Sequence, residues 1–291
     1  MGKTQFNLEL YHQMFQLYKL SAEQGVKLYA ESLSHHFKIP DRTARYYFFM
    51  VENNYNQTLQ ANKFRGENRL VISDIHAPFT KKGFLEHCVK AYHDYYCTKV
   101  TFLGDVLDNA YSSFYKADPD GMSAKDETEL ATDILQPWYN AFPEAEICIG
   151  NHDLRIRCQA FDAGISERWI RDYSDVLKTP GWVWDEHWDH YDVRYTHGDG
   201  PGGALNGAFQ RMLYWDMSVV QGHWHTSSYT RWKVSEKNRF FAFQVGCGID
   251  HTAYAMAYGK KSQKKLVISC GVVLDNGRIP INLPMYLGEA A

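Results

Sequence analysis

The sequence lacks the features of a membrane protein or a secreted protein. No apolar run approaches the roughly 20 residues that a membrane-spanning helix needs, and the polar segment Met1 to Glu9 has no hydrophobic core of a signal peptide. The six cysteines form no C-x-x-C pair, which favours reduced thiols in a protein core over a disulfide framework or a zinc ribbon. We therefore expect a cytoplasmic protein with an ordinary folded core.

Two regions with different residue patterns divide the 291 residues. Apolar residues recur at helical spacing through the first region, as at Leu8, Tyr11 and Met14. In the second region, short runs typical of β-strands alternate with helical segments, which predicts an α/β architecture with a partly parallel sheet. The sequence therefore predicts a small helical domain with its linker over residues 1–65 and a larger α/β domain over residues 66–291.

The segment from Leu33 to Phe48 resembles a helix-turn-helix. Arg42 and Arg45 fall near the start of its second helix, the part that enters the DNA major groove in such motifs. Lys38 occupies the turn position where glycine is usual. Two interpretations stay open: the region binds DNA, or it is a helical subdomain that packs on the rest of the chain or on a second copy. The polar residues from Asn53 to Glu67 predict the linker.

The formal charge of −3 is unevenly distributed. Residues 1–65 contain eight basic and five acidic residues, a net charge of +3, which leaves −6 on the remainder. An acidic domain would repel an anionic substrate unless bound cations reversed the charge of its pocket. The local arrangement of acidic and histidine residues therefore matters more than the total charge.

Five short motifs rich in Asp, His and Asn each follow an apolar run of the kind that forms a strand, so we expect them to meet at strand ends. Each histidine alone is best explained as a core or surface side chain. Burying the whole set without a metal, however, would leave many polar groups unpaired, and carboxylate and imidazole suit Mn²⁺, Fe and Zn²⁺. The motifs are Asp74-Ile75-His76, Gly104-Asp105, Gly150-Asn151-His152-Asp153, His197-Gly198-Asp199 and Gly222-His223-Trp224-His225.

In this order the motifs resemble the D-x-H, G-D-x-x-D, G-N-H-[DE], H-G and G-H-x-H signature of calcineurin-like metallophosphoesterases, over about residues 69–275. Residues 108–113 and 142–146 are similar to phage-encoded members, which implies a host cytoplasm. The resemblance implies a two-sheet β-sandwich flanked by helices, preceded by a small all-α domain that is helix-turn-helix-like. It also implies two divalent metal ions; we expect manganese first, and iron, nickel and zinc are compatible.

Carried over motif by motif, the resemblance implies that the two ions share one ligand, and Asp105 is the candidate bridge. His223 and His225 are separated by one residue, so in an extended segment both would point to the same side and could reach neighbouring ions. One ion would be held by Asp74, His76, Asp105 and His225. The other would be held by Asp105, Asn151, His197 and His223.

The resemblance also implies how the ester is cleaved. A water that bridges the two ions is the expected nucleophile, because coordination can lower the pKa of water from about 15.7 to about 7. His152 follows Asn151 directly and is the candidate general acid for the leaving oxygen, oriented by either Asp153 or Asp108. Arg155 has two interpretations: its bidentate fork holds a phosphate oxygen, or it makes a surface salt bridge.

The sequence thus predicts a metal-dependent phosphoesterase that hydrolyses a phosphodiester or a phosphomonoester, with a nucleotide or nucleic acid favoured. A phosphoprotein or phosphomonoester phosphatase is one alternative. A non-catalytic DNA-binding scaffold is another, although such a protein would have lost His152 or the bridging ligand, and neither is lost. The oligomeric state stays open.

Overall fold

The computed structural model describes residues 7–64, 66–113, 121–200, 206–250, 252 and 266–285. The chain forms two compact units, Met1–Gly66 and Glu67–Ala291. Among the helices in the described ranges, none combines the length and the apolarity that crossing a bilayer demands.

Residues 7–64 of the first unit form three helices: α1 Leu8–Glu23, α2 Ala30–Phe37 and α3 Asp41–Phe64. The Asn7 side chain caps α1 by accepting a hydrogen bond from the Leu10 backbone amide. Helix α2 ends where Lys38 adopts a left-handed conformation with a φ of 51°, so a lysine does fill a turn position that glycine usually occupies. The small core of this unit consists of Tyr11, Met14, Phe15, Leu33, Tyr47 and Val51.

The linker predicted from Asn53 to Glu67 is wrong over most of its length, because α3 continues to Phe64. Polar composition suggested the linker, but a solvated helix has the same composition. Neither glycine nor proline interrupts the segment before Gly66, and its Gln, Leu, Ala and Lys residues are good helix formers.

The second unit contains two sheets, one of six strands in the order β11-β10-β1-β2-β3-β4 and one of five in the order β5-β6-β7-β9-β8. The strands are β1 Arg69–Ile72, β2 Lys99–Phe102, β3 Ala145–Cys148, β4 Trp182–Asp185, β5 His187–His190, β6 Val193–Thr196, β7 Ser218–Gln221, β8 Tyr229–Val234, β9 Arg239–Gln244, β10 Ser269–Leu274 and β11 Ile279–Pro284. The helices are α4 Phe84–Asp94, α5 Ala124–Ala141, α6 Asn151–Asp162, α7 Tyr173–Leu177 and α8 Gly207–Trp215.

The two sheets pack face to face. Val71 and Val273 from the first sheet and Val220 and Phe243 from the second belong to one buried apolar cluster, which is the core of a β-sandwich. Helices cover the outer faces: α8 packs through Met212 on the second sheet, and α4 and α5 contribute aromatic rings against the first. This arrangement confirms the predicted two-sheet sandwich flanked by helices.

Parallel pairing determines where the five motifs meet. Strands β1, β2, β3 and β4 are mutually parallel neighbours, and so are β6, β7 and β9. Their antiparallel partners lie at the outer edges of the sheets. The carboxyl ends of the parallel strands therefore lie side by side within each sheet, which is where ligands bind in open α/β sheets.

Candidate metal centre

Each motif begins within three residues of the end of a parallel strand. Asp74 follows β1, Asp105 follows β2, and Asn151 follows β3 and is the first residue of α6. His197 directly follows β6, and His223 follows β7. The side chains therefore come from both sheets and converge between them.

The first group of side chains comprises Asp74, His76, Asp105 and His225, whose ligand atoms all lie within 4.8 Å of one another. The Nε2 atom of His225 lies 3.1 Å from Asp74 Oδ1 and 3.2 Å from His76 Nε2. Asp105 Oδ2 lies 3.7 Å from His76 Nε2. Asp74, His76 and Asp105 are buried and His225 is half-buried, so two carboxylates and two imidazoles converge below the surface.

The second group comprises Asp105, His197 and His223, and the Asn151 amide adjoins it. His197 Nε2 lies 3.3 Å from Asp105 Oδ2, 3.1 Å from His223 Nδ1 and 3.0 Å from Asn151 Oδ1. Asp105 thus belongs to both groups. A carboxylate in this position can bridge two ions.

Hydrogen bonds fix which ring nitrogens face the centre. His197 Nδ1 donates to the Leu103 carbonyl at 2.8 Å, so its Nε2 lone pair points inward. His76 Nδ1 donates to Asp108 Oδ1 at 2.8 Å and leaves Nε2 inward as well. Backbone and carboxylate partners of this kind orient histidines that bind metals. The Nε2 atoms of both rings therefore face the two carboxylates, and this donor set fits a divalent metal.

The electrostatics of the groups favour positive charge at the centre. Burial lowers the pKa of His197, but the charge and hydrogen bond of Asp105, with the charges of Asp74 and Asp199, together outweigh burial and raise that pKa to about 10. Burial and the charge of Asp105 raise the pKa of Asp74, but the charge and hydrogen bond of His225 and the charge of His197 together outweigh them and lower it to about 2. Both carboxylates therefore stay ionised, as metal ligands must.

Glycines allow the motifs to approach one another closely. A Cβ atom on Gly104 would lie 2.6 Å from His197 Nδ1. A Cβ on Gly150 would overlap the Asp105 carboxylate, and one on Gly222 would overlap Ser73 Oγ and lie 2.5 Å from Asp74 Oδ2. The glycine of each of these three motifs is therefore required by the packing of the ligand side chains themselves.

Four candidate ligands adopt left-handed backbone conformations: Asp74 (φ 51°), His76 (φ 46°), Asp105 (φ 49°) and His223 (φ 71°). Such conformations cost about 1–3 kcal/mol each and cluster at functional sites. The prediction that His223 and His225 lie on one side of an extended segment is wrong, because the chain turns at this point. Because of this turn, the His225 ring lies in the first ligand group and the His223 ring lies in the second.

Asp108, rather than Asp153, adjoins His152. The Nδ1 atom of His152 donates to the Asp108 carbonyl at 2.8 Å and lies 3.4 Å from Asp108 Oδ1. The Asp153 carboxylate accepts hydrogen bonds from the backbone amides of Leu107 and Gly150, both at 2.9 Å, so it ties the second and third motifs together. Burial and the charge of Asp105 raise the pKa of Asp153 to about 7.

Arg155 is buried, so the surface salt bridge that was one of its two interpretations is wrong. Its guanidinium donates to the carbonyls of Asp108 at 2.8 Å and Asn109 at 3.2 Å. It also donates to His152 Nε2 at 2.9 Å. Contact with a phosphate oxygen stays a prediction for this residue.

The sequence-based set of site residues omits a buried polar chain behind the fifth motif. Arg211 Nη1 donates to Gln221 Oε1 at 3.0 Å, Gln221 Nε2 donates to Gln244 Oε1 at 2.9 Å, and Gln244 Nε2 donates to the Gly222 carbonyl at 2.6 Å. We call this series of hydrogen bonds the Arg211 network. It anchors the backbone just before His223. Two glutamines at the ends of otherwise apolar strands were the signal that could have revealed it.

Arg42 and Arg45 lie in the first unit, near the start of α3, and both are exposed. The next exposed residues on this helix are Tyr46 and Phe49. The spacing of these four residues places them on one helical face. DNA binding by this face stays a prediction.

The chain matches no protein-family model and no curated protein sequence. Solved structures similar to it include Vacuolar Protein Sorting 29 from Cryptosporidium parvum, with 15% identity and a TM-score of 0.42 over 77% of this chain and 94% of that one. The phosphoesterase YfcE from E. coli has 15% identity and a TM-score of 0.35 over 71% and 87% of the two chains. The nuclease MPE from Pseudomonas putida has 16% identity and a TM-score of 0.30 over 75% and 87%. Similarity at this level says nothing about activity, which has to be argued from the side chains of this chain.

Proposed function

We propose that the chain is a dinuclear metal-dependent phosphoesterase that hydrolyses a phosphodiester of a nucleotide or nucleic acid. The observation that supports this proposal is the pair of buried ligand groups that share Asp105. Asp74, His76, Asp105 and His225 would hold one divalent cation. Asp105, Asn151, His197 and His223 would hold the other. Mixed oxygen and nitrogen ligands suit manganese, with iron, nickel and zinc also compatible.

Two bound cations would supply water of lowered pKa and positive charge opposite the phosphate oxygens. The protein contributes the position and protonation of the surrounding side chains. Asp108 orients two rings, since its carboxylate adjoins the Nδ1 atoms of both His76 and His152. Burial raises the pKa of Asp108, but its hydrogen bonds to these histidines outweigh burial and lower the pKa, so Asp108 remains an acceptor.

His152 is the proposed general acid, through a proton on Nε2. That atom lies 4.0 Å from Asp105 Oδ2 and accepts a hydrogen bond from Arg155 Nη2. A protonated Nε2 can no longer accept a hydrogen bond. The hydrogen bond from Arg155 Nη2 must therefore break when His152 acts as an acid. A phosphate oxygen of the substrate is a suitable new acceptor for the guanidinium. The two residues would therefore act together, one on the leaving oxygen and one on the phosphate.

The test of this proposal compares a diester with a monoester. Purified protein reconstituted with Mn²⁺ should hydrolyse bis-(p-nitrophenyl) phosphate faster than p-nitrophenyl phosphate, and addition of EDTA should abolish both reactions. A strong preference for the monoester would instead favour a phosphomonoester or phosphoprotein phosphatase. Two bound manganese ions without turnover of any phosphate ester would favour a non-catalytic scaffold.

We further propose that the first unit binds duplex DNA. The exposed face of α3 supports this proposal, because Arg42 and Arg45 lie within the first two turns after the tight turn at Lys38. Basic residues near the start of a recognition helix contact phosphates or base edges. The exposed rings of Tyr46 and Phe49 could equally pack against a protein, which is the alternative to be tested.

Gel-shift titration of duplex DNA with the full chain tests this second proposal. Arg42→Glu/Arg45→Glu should weaken binding and reduce the slope of log affinity against log salt by about 2, since each lost phosphate contact removes about 0.9. Lys19→Glu/Lys27→Glu makes the same charge change at exposed positions of the same unit and serves as the control. Equal effects of both pairs would contradict a specific DNA-binding face.

A further inference from the structure

A cavity of about 570 Å³ lies at the edge of the second sheet opposite the metal centre. It is lined in part by the β5–β6 turn, the β8–β9 turn and the β10–β11 turn, and we call it the opposite-edge groove. The lining residues relevant here are Tyr191, Asp192, Trp232, Lys237, Arg239 and Arg278.

The opposite-edge groove and the metal centre lie at opposite ends of the same parallel strands, so they are separate sites. Asp192 and Ser218 line the groove at the start of β6 and β7, whereas His197 and His223 follow the ends of the same strands. A strand rises about 3.3 Å per residue, so four residues put roughly 13 Å between the two edges. A ligand in the groove would therefore not contact the candidate metal ligands.

The groove is positively charged, although the unit that contains it carries net negative charge. Lys237 and Arg239 are exposed, and neither has a carboxylate within ion-pair distance among the residues that the structure describes. Arg278 lies 3.3 Å from Asp275, and Asp192 is the acidic residue of the described lining. Two cations are thus available to an anionic ligand.

Aromatic rings lie beside these cations. Tyr191 is 53% exposed and Trp232 is 39% exposed, large fractions for such side chains in a folded domain. The Arg239 guanidinium stacks on the Trp232 ring at 4.3 Å, which holds the cation in place. Tyr191 occupies a two-residue hairpin turn with positive φ at both positions, so the backbone fixes its place at the groove.

We propose that the opposite-edge groove binds single-stranded nucleic acid. Unpaired bases stack on exposed aromatic rings while basic side chains follow the phosphates, and this combination binds single strands with little sequence preference. In the groove, Tyr191 provides the stacking surface, Trp232 holds the Arg239 guanidinium on its ring, and Lys237 and Arg239 provide the phosphate contacts. A duplex keeps its bases stacked internally and cannot use the Tyr191 ring, and an acidic peptide would use the cations alone.

The test measures binding of a fluorescein-labelled oligothymidylate to the full chain by fluorescence anisotropy in EDTA, which removes any contribution from bound metals. Lys237→Glu/Arg239→Glu should weaken binding by at least about tenfold and lower the salt slope by about 1.4, because each phosphate contact on a single strand contributes about 0.7. Tyr191→Asn keeps a residue that tolerates the turn conformation. It should weaken binding several-fold without changing the salt slope.

Lys90→Glu/Lys125→Glu is the matched control, since it makes the same charge change at exposed positions on α4 and α5. The proposal is overturned if this pair weakens binding as much as the groove pair does. It is also overturned if Tyr191→Asn has no effect, or if polyglutamate or duplex DNA competes as well as the single strand.

Hydrolysis of bis-(p-nitrophenyl) phosphate with Mn²⁺ is measured on the same variants. It should be unchanged in the groove variants, because the groove lies at the far ends of the strands. This readout separates the two proposals. Loss of oligothymidylate binding with intact turnover supports the groove, whereas absence of turnover in every variant, including the unmodified chain, contradicts the phosphoesterase and leaves the binding result standing.

Discussion

The two edges of the second sheet place polar residues in opposite ways. At the metal edge, His197 follows β6 and lies 3.3 Å from Asp105 of the first sheet; both residues are buried, and glycines close the space around them. At the opposite edge, Lys237 in the β8–β9 turn and Arg239 at the start of β9 line an open groove. The same strands, β6 and β7, connect the two.

This difference determines how each edge should respond to mutation. Buried groups that share hydrogen bonds and charges are coupled, so the loss of one changes the rest, whereas separated exposed groups contribute almost additively. Substitutions at the metal edge should therefore affect both ions or the whole reaction. Substitutions at the groove should affect binding in small independent steps.

Asp105→Asn is the substitution with the largest expected effect. Asp105 belongs to both ligand groups, so its loss should lower the metal content from two ions to fewer than one per chain. Turnover should fall by more than the roughly 10–100-fold that changes to outer-shell partners cause. Elemental analysis after dialysis, together with kcat, provides the measurement. Asp185→Asn is the control: it removes an exposed carboxylate at the end of β4 and should change neither the metal content nor kcat. Retention of two ions by Asp105→Asn would rule out the bridging role.

His152→Ala should have the next largest effect, without loss of metal. General acid catalysis is typically worth about 10²–10⁴-fold, and it matters most when the leaving group is a poor one. The variant should therefore lose that factor on thymidylyl-thymidine, whose leaving group is an alcohol, and much less on a p-nitrophenyl ester. His187→Ala, an exposed histidine in the same unit, is the control. Equal losses on both substrates would argue against a proton-donating role.

The residue pattern predicted the location of the metal edge because local signals agree there. Apolar runs predict the strands, and Asp, Asn or His directly after them predicts polar groups at strand ends. The glycine before Asp105 marks a place where two motifs approach closely. All these signals depend on neighbours in the sequence, so they can be recognised without knowledge of the tertiary structure. The same local signals predicted an α/β architecture with a partly parallel sheet, whereas the two-sheet sandwich was implied by the family resemblance.

Features that depend on distant neighbours were not predictable. His223 has a left-handed backbone conformation, and its amide donates to Asp74 Oδ2 at 2.9 Å, a partner far away in the sequence. The burial of Arg155 depends on carbonyl groups of the second motif. Polar composition after Asn53 suggested a linker, but it does not distinguish a loop from a solvated helix, and only the fold reveals the helix.

Gln244→Leu should have the smallest effect of the three substitutions at the metal edge. Gln244 touches none of the candidate ligands through its hydrogen bonds; it donates to the Gly222 carbonyl and accepts from Gln221, so it is a positioning residue for the His223 backbone. Its loss should weaken manganese affinity by about 10–100-fold, the range for outer-shell partners, with a lower kcat at saturating metal.

Gln136→Leu is the matched control for this substitution, because the Gln136 side chain also donates to a backbone carbonyl, that of Leu177 at 2.9 Å. Both variants should lower the melting temperature, since each leaves a carbonyl without its donor. Only Gln244→Leu should shift the manganese titration, because Gln136 lies on α5 and has no hydrogen bond to the metal motifs. If both variants shift the manganese titration equally, the Arg211 network stabilises the fold in general and has no specific effect on the metal centre. The energetic coupling that distinguishes the metal edge from the groove would then be limited to the candidate ligands.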